Sequence, residues 1–275
     1  MKKLLSLLLA VGMCAVLLTA CGNSASKGST SSAAGASTSA TSDESADAGE
    51  LKLVEDGKLV MSTNAQFPPY EMVAGDGSFE GIDVEVAQAI ADKLGLELVI
   101  DDMDFDAALL AVQNGKSDIV MAGVTVNEER QAVMDFSTSY ANGIQVVIVP
   151  EGSDITSVDD LEGKQIGCQR GTTGYIYCSD DFGDDAVVAY DDGLTAVQAL
   201  KNGQVDAVVI DNAPAEEYVA ANPGLVILDT SYAEEDYAIG MAKGSALEDA
   251  VNAALEELKA DGTLQSIVDK YITAE

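Results

Sequence analysis

The chain has 275 residues, with 47 acidic and 14 basic side chains, a net charge of −33 and no histidine. A surface this acidic repels nucleic acid and anionic lipid headgroups, so we expect no nucleic-acid partner. Without histidine, the chain cannot use histidine as an acid–base catalyst or as a metal ligand. The roughly 225 residues that follow Glu50 are enough for one large domain or two small ones.

The N-terminus has the features of an export signal. Two lysines precede an apolar run over residues 4–17, and the sequence LTAC follows at 18–21. The run is shorter than the ~20 residues of a membrane-spanning helix, and small residues before Cys21 are typical of a cleavage site. LTAC resembles the bacterial lipobox. This implies a signal peptide over 1–20 and a diacylated Cys21 that anchors the mature chain to the outer face of the cell membrane. An ordinary secretory signal cut near Ala20, or a short helical anchor, is the alternative.

The next segment has the composition of a disordered linker. Residues 22–50 are almost entirely Ser, Ala, Gly and Thr, later mixed with Asp and Glu. Such residues bury too little apolar surface to offset the loss of chain entropy on folding. We therefore predict that 21–50, beginning with the lipidated cysteine, is a flexible tether.

Apolar periodicity in the first part of the body predicts alternating strands and helices. The predicted elements are strand 58–63, helix 82–94, strand 97–101, helix 105–114 and strand 118–122. This β-α-β-α-β order predicts a parallel sheet.

A second series of elements follows an extended stretch over 134–140. It consists of strand 144–149, strand 164–168, helix 172–179, strand 186–190, helix 193–202, strand 205–210, helix 213–220 and strand 225–229. Strand 237–241 and amphipathic helices 246–260 and 262–272 complete the body, and periodicity alone does not place them.

Two segments 88 residues apart repeat one pattern, AVQNGKSDIVMAG at 111–123 and ALKNGQVDAVVID at 199–211. In each, a helix ends at Asn-Gly and a short buried strand follows. Just past these strands lie the polar groups Gly123, Thr125 and Arg130 in one half and Asp211 in the other. Open α/β sheets bind ligands beyond the carboxyl ends of their strands. A cation and an anion there suit a zwitterion, and the simplest candidate is a free amino acid.

Two cysteines, Cys168 and Cys178, lie in the body. Neither has a second cysteine at metal-ligand spacing, so no metal site is predicted. Export would permit a disulfide between them, and two small buried apolar residues are the alternative.

Several runs together resemble a known family. They are TNAQFPPYE, GIDVEVAQAIADKLG, MDFDAALLAVQNGKSDIVMAGVTVNEER, DFSTSY, IGCQRGTTG and VDAVVIDN, in this order over 51–275. They resemble the bacterial extracellular solute-binding proteins of family 3, which bind polar amino acids for ABC importers. The resemblance implies an α/β, two-lobed periplasmic-binding-protein-like fold of type II, with two parallel-sheet lobes joined by two crossover strands. Lobe 1 would be 51–143 plus 237–275, and lobe 2 would be 144–236.

The resemblance also indicates which residues bind the carboxylate of the ligand. Arg130 matches the arginine that grips it, and a planar guanidinium meets a carboxylate through two parallel charge-assisted hydrogen bonds. A surface arginine paired with Glu128 or Glu129 is the alternative. Thr125 would add a backbone N–H to the carboxylate and a hydroxyl to the ammonium. The Gly123 carbonyl would accept from the ammonium, unless Gly123 is a plain turn.

On the second lobe, Asp211 matches the carboxylate that binds the α-ammonium group. An N-cap for the helix that starts near Ala213 is the other interpretation, and both can hold together. Thr173, in the sequence GTTG, would open a helix and donate its N–H to the ligand carboxylate.

Four further residues are expected around the ligand side chain. Phe67 and Phe105 fall where the family has apolar walls, although aromatic residues are more often core. Asn64 departs from the family, because many members that bind basic amino acids or glutamine carry Asp there. Gln169 is neutral as well. Two neutral amides favour a polar uncharged side chain such as glutamine, with a basic amino acid next and cystine possible.

The resemblance thus implies a monomer that captures a free L-amino acid by lobe closure and delivers it to ABC permease subunits. It implies no cofactor, no metal and no enzymatic activity. A periplasmic dehydratase on the same fold is the alternative. It needs an added catalytic acid, and the pocket positions named here supply none beyond Asp211.

Overall fold

The computed structural model describes residues 51–272, and strands and helices alternate within them. The strands are β1 Lys58–Thr63, β2 Gln66–Phe67, β3 Glu71–Val73, β4 Phe79–Glu80, β5 Glu97–Asp102, β6 Ile119–Val120, β7 Met134–Phe136, β8 Ala141–Pro150, β9 Ile166–Gln169, β10 Val187–Tyr190, β11 Ala207–Asp211, β12 Leu225–Ile227, β13 Ala233–Tyr237 and β14 Gly240–Ala242. The helices are α1 Ile82–Leu94, α2 Phe105–Gln113, α3 Glu128–Val133, α4 Thr173–Phe182, α5 Gly193–Lys201, α6 Asn212–Ala221, α7 Glu248–Ala260 and α8 Thr263–Tyr271, and short 3₁₀ turns lie at Val158–Leu161 and Asp184–Ala186.

One sheet has the strand order β5-β1-β6-β14-β7. Met61 of β1 pairs in parallel with Ile100 of β5 and with Ile119 of β6. β14 adds an antiparallel pair on each side, with β6 and with β7. Helices α1, α2, α7 and α8 pack on this sheet or on one another. We call this sheet and its helices lobe 1.

The second sheet has the order β10-β9-β11-β8-β12, and β13 pairs with β8. Val208 of β11 pairs in parallel with Gly167 of β9 and antiparallel with Ile148 of β8. Helices α4, α5 and α6 pack on it. We call this sheet and its helices lobe 2. Each sheet therefore has a parallel core extended by antiparallel strands.

The chain passes between the sheets twice, along β8 and along β13. β8 follows β7 of lobe 1 and belongs to the second sheet from Ala141 onward, while β13 leads back to β14. The two passing strands pair with each other, Tyr237 opposite Ala141. They are the two crossover strands. The division of the chain at 143/144 and 236/237 stays a prediction.

The helix predicted over 82–94 has the same bounds in α1. Its apolar face, with Ile82, Val86 and Ile90 fully buried, follows the helical period. Gly95 ends the helix in the left-handed conformation that glycine adopts without steric cost.

Three parts of the body differ from the predicted elements. A small antiparallel sheet, β2-β3-β4, occupies 66–80, where no strand was predicted, because strands of two or three residues are too short to show a period. The six-residue helix α3 was missed for the same reason. The strand predicted over 237–241 is two strands, β13 and β14, in different sheets.

Both body cysteines are free thiols and fully buried, in the apolar cluster of lobe 2. Cys168 lies in β9 and Cys178 in α4. The disulfide alternative is therefore not present, and the two side chains pack as small apolar residues.

Within residues 51–272, no helix is long and apolar enough to cross a bilayer. The predicted signal peptide (1–20), Cys21 and the predicted tether (21–50) lie outside the described residues.

Candidate functional site

The carboxyl ends of four parallel strands, two from each sheet, meet between the lobes. β1 ends directly before Asn64, β6 runs toward Gly123, β9 ends at Gln169 and β11 ends at Asp211. A crevice beyond such strand ends is the usual ligand site of an open α/β sheet.

One cavity at this place is lined by all nine predicted ligand residues. They are Asn64, Phe67, Phe105, Gly123, Thr125, Arg130, Gln169, Thr173 and Asp211. Glu71, Ala122 and Thr172 line it too and were not predicted. The structure brings the nine residues together from both lobes, and their contacts with a ligand stay a prediction.

Arg130 points into the cavity from α3 and is buried. Asn127 caps that helix by accepting from the Arg130 N–H at 2.8 Å. The guanidinium donates through Nη1 to the Thr125 carbonyl at 2.8 Å and through Nη2 to the Gly171 carbonyl at 3.2 Å. It also lies 5.3 Å from the centre of the Phe105 ring. Arg130 is therefore not a surface arginine.

Gly123 occupies a position that requires glycine. Its φ is +56°, and a Cβ there would lie 2.8 Å from Cε1 of Phe67. Its N–H donates to the Asp83 carboxylate at 3.0 Å. The tight turn holds the Phe67 ring against the strand end, where it forms part of the cavity wall.

Asp211 stands at the N-cap position of α6, but its side chain caps no N–H of that helix. It accepts instead from the Tyr237 hydroxyl. Gly143 makes this possible, because a Cβ at that position would collide with the Tyr237 hydroxyl. Burial, and then the nearby Glu235 carboxylate, raise the pKa of Asp211 to about 7. Tyr237 donates to Oδ1 of this carboxyl group, so Oδ2 can accept from a donor in the cavity.

Asn64 and Gln169 bind each other across the cleft. Gln169 Nε2 donates to Asn64 Oδ1 at 2.9 Å, and Asn64 Nδ2 donates to the Met103 carbonyl at 3.0 Å. Both hydrogen-bonding ends of the Asn64 amide are therefore occupied within the protein.

Glu71 was missed by the sequence analysis and is the most unusual group in the cavity. It lies in β3, opposite Phe67, and its side chain is fully buried. Neither of its carboxyl oxygens has a hydrogen-bond donor among the described residues. Burial, and then the Asp83 carboxyl beside it, raise the pKa of Glu71 well above its ordinary value.

Asp83 and Glu235 lie behind the cavity wall and are also buried. Asp83 accepts from the Tyr140 hydroxyl at 2.6 Å. Burial raises its pKa to about 6, although this hydroxyl and the Gly123 N–H oppose the shift. Among the described residues that line the cavity, Arg130 is the one basic side chain. The region thus holds four buried carboxyl groups against one guanidinium.

Several hydrogen bonds join the lobes at the cleft. Besides the Asn64–Gln169 pair, Arg130 reaches Gly171 of lobe 2, and the Tyr218 hydroxyl donates to the Gln66 carbonyl at 2.7 Å. The lobes are therefore in a closed arrangement.

Comparison with known proteins identifies the family. A model of the bacterial extracellular solute-binding proteins, family 3, matches residues 59–274. The chain belongs to this family. Its fold is the two-lobed type II periplasmic-binding-protein fold, and the prediction of that fold is confirmed.

Among relatives of this family-3 protein is the L-cystine-binding protein TcyJ of Escherichia coli (strain K12). It is 33% identical over 236 residues, which are 84% of this chain and 88% of the relative. The arginine-binding extracellular protein ArtP of Bacillus subtilis (strain 168) is 34% identical over 230 residues, 79% of this chain and 87% of the relative. In a solved structure, an ancestral arginine-binding protein bound to glutamine is 41% identical, with a TM-score of 0.76, and the match covers 80% of this chain and all of the other.

Proposed function

We propose that this protein binds a free L-amino acid in the cavity between its lobes and delivers it to the permease of an ABC importer. The observation that carries this proposal is the placement of Arg130 and Asp211, which come from different lobes and line the same cavity. One zwitterion can bind both groups only when the lobes are closed. Relatives named for cystine and arginine, and a related structure with glutamine, support an amino acid as the ligand.

In this proposal Arg130 binds the α-carboxylate. Its guanidinium is charged and is fixed by two backbone carbonyls and the Phe105 ring, so it meets a carboxylate with little further loss of freedom. Burial lowers the pKa of Arg130, and the carboxylates of Glu235 and Asp211 oppose that shift. Thr173, at the first turn of α4, adds a backbone N–H. Asp211 and the Thr125 hydroxyl bind the α-ammonium group.

For the ligand side chain, the buried Glu71 reverses the order of preference that the sequence suggested. The neutral pair Asn64–Gln169 favours an uncharged side chain, but each amide already binds the other. The Glu71 carboxyl, in contrast, has no donor among the described residues and lines the cavity. Burial raises the pKa of Glu71 because no donor in the part of the chain that the structure describes compensates its charge, and a ligand cation beside it would stabilise the ionised form. We therefore place arginine or lysine first and glutamine second.

A thermal-shift panel of the twenty amino acids against residues 22–275 tests this function. An amino acid at ~100 times its dissociation constant adds ~2.7 kcal/mol to the free energy of unfolding. We expect the largest shift with arginine or lysine, a smaller one with glutamine, and none with acidic amino acids, whose side chains would meet Glu71. A panel without any shift would contradict the proposal.

We propose further that the protein is not an enzyme. The pocket positions named from the sequence supply no acid beyond Asp211, but Glu71, which was not among them, also lines the cavity. A dehydratase would use such a carboxyl group as a proton donor, whereas a binding protein would use it as the partner of a cation. The relatives are named as binding proteins, which supports the second use. Incubation with a prephenate-like substrate is expected to give no product.

The family and the N-terminal sequence support a proposal for where the protein is located. Members of the family are extracellular solute-binding proteins. For this chain we propose anchoring through a diacylated Cys21, a tether over 21–50, and a monomeric two-lobed body divided at 143/144 and 236/237.

We expect the affinity for arginine to rise with pH between about pH 5 and about pH 8. Without ligand, Asp83 and Asp211 have pKa values raised to about 6 and about 7. A bound cation favours their ionised forms, so binding releases protons, and affinity changes about tenfold per pH unit for each proton released. Calorimetry in buffers of different ionisation enthalpy counts these protons.

The same raised pKa values make the stability of the ligand-free protein depend on pH. Raised carboxyl pKa values contribute stability that is present at low pH and is lost as the pH rises through about 6 to 7. Arginine should therefore raise the melting temperature more at about pH 8 than at about pH 5. A pH-independent affinity with no proton release would contradict this expectation.

A further inference from the structure

Glu235 is a buried carboxylate on the second crossover strand. It lies in β13, opposite Gly143 of β8, and its side chain is 5% exposed. It does not line the cavity and lies behind Thr125, which does. None of the roles described above requires a carboxylate at this position.

Two side chains donate to the same oxygen of Glu235. Thr125 Oγ1 donates to Oε2 at 3.0 Å, and Gln145 Nε2 donates to it at 2.9 Å. The other oxygen, Oε1, is buried and has no hydrogen-bond partner among residues 51–272. The carboxylate thus connects Thr125 of lobe 1 with both crossover strands.

This contact decides what the Thr125 hydroxyl can do in the cavity. A hydroxyl has one proton to donate and two lone pairs, and an ionised carboxylate can only accept. Because the Thr125 proton points to Glu235, the oxygen presents lone pairs elsewhere, and Thr173 Oγ1 lies 3.5 Å from it. The Thr125 backbone is fixed as well, since its carbonyl accepts from Arg130 at 2.8 Å and Thr125 forms a β-bridge with Tyr237. Thr125 is therefore an acceptor held in one orientation.

Building on the proposed function, we infer that Glu235 is a positioning residue that makes Thr125 an obligatory acceptor for the ligand α-ammonium group and so sets the requirement for an amine. A ligand without the amine has no proton for the Thr125 oxygen, and it brings no ammonium group to the carboxyl groups of Asp211 and Glu235. The negative charge of Glu235 acts in the same direction, because it adds to the attraction that Asp211 exerts on the ammonium group.

The test compares two ligands and two variants by calorimetry. The ligands are arginine and guanidinovalerate, which is arginine without its α-amine. We expect the wild-type protein to prefer arginine by roughly a hundredfold. Glu235→Leu removes both the acceptor and the charge, and should lower this preference roughly tenfold by weakening arginine binding alone. Glu235→Gln keeps an acceptor for Thr125 and removes the charge, so the preference should fall by a smaller factor, roughly threefold.

Glu234→Gln is the matched control, since Glu234 is the exposed neighbour on the same strand, and its ligand preference should equal that of the wild type. Equal losses for both ligands in Glu235→Leu would mean that Glu235 only supports the fold, and would overturn the inference. If Glu235→Leu does not fold, an unchanged preference in Glu235→Gln overturns it. A wild-type protein that binds none of the twenty amino acids would overturn the proposed function itself. If instead the wild type binds arginine and the Glu235 variants keep its preference for arginine over guanidinovalerate, only the inference about Glu235 is overturned.

Discussion

Replacing Arg130 with alanine is expected to abolish measurable binding of every free amino acid. The α-carboxylate is common to all of them, and in the closed cleft it would be buried without its cation. Removing one partner of a buried charge pair costs ~3–5 kcal/mol, which lowers affinity by ~10² to 10³·⁵. Arg130→Lys should also bind weakly, because an ammonium cannot reproduce the two parallel hydrogen bonds of a guanidinium. Calorimetry with arginine and glutamine measures both variants.

Arg170→Ala provides a matched control for this prediction. Arg170 lies in the turn after β9, its side chain is 56% exposed, and its contact with Asp191 is a surface ion pair at 3.7 Å. Exposed pairs of this kind contribute little, so binding should remain as in the wild type. Arg130 also holds two backbone carbonyls. The alanine variant must therefore be shown to be folded by circular dichroism. A folded Arg130→Ala protein with wild-type affinity would remove Arg130 from the site.

The elements that sequence alone placed well are those with a long apolar period. Helix α1 has the predicted bounds because thirteen residues give the period room to repeat and Gly95 stops it. The small sheet over 66–80 escaped prediction because its strands are short and are held by pairing with one another. The strand predicted over 237–241 failed for another reason. Buried apolar residues continue from Tyr237 to Met241 while the chain changes sheets, and composition does not record that change.

The residues of the site likewise fall into those that the sequence predicted and those, such as Glu71, that it did not. Gly123 and Asp211 were found because each follows or ends a recognisable buried strand, and strand ends of parallel sheets meet, whereas Asn64 and Gln169 came from the family resemblance. Glu71 carried no such signal, since it lies in a three-residue strand, and an acidic residue in sequence looks solvated. Its burial arises from the packing of segments distant in the chain, among them Asp83. A buried carboxyl group therefore becomes visible only in the folded structure.

Replacing Glu71 with glutamine is expected to remove the preference for arginine and lysine while glutamine binding changes little. In the wild type the side-chain cation would pair with Glu71. In the variant the cation would be buried beside a neutral amide. Breaking a buried ion pair in this way costs ~3–5 kcal/mol of binding free energy. Asp83 remains nearby and offsets part of this loss, so we expect a fall toward the lower end, ~10² in arginine affinity. Glutamine carries no side-chain charge, and an amide at position 71 can still donate and accept hydrogen bonds.

The same substitution should stabilise the protein without ligand, and this second effect separates the explanation from general damage to the cavity. Burial and the Asp83 carboxyl beside it raise the pKa of Glu71, so a charge on Glu71 is unfavourable there, whereas an amide at position 71 cannot ionise and can donate to Asp83. The melting temperature of free Glu71→Gln should therefore exceed that of the wild type at about pH 8, where Asp83, whose pKa is raised to about 6, is ionised beside Glu71. Glu80→Gln, an exposed position on the adjacent strand β4, is the control and should change neither quantity. If Glu71→Gln weakened arginine and glutamine equally and lowered the melting temperature, Glu71 would be a structural residue, and the selectivity for a cation would have to come from another group in the cavity.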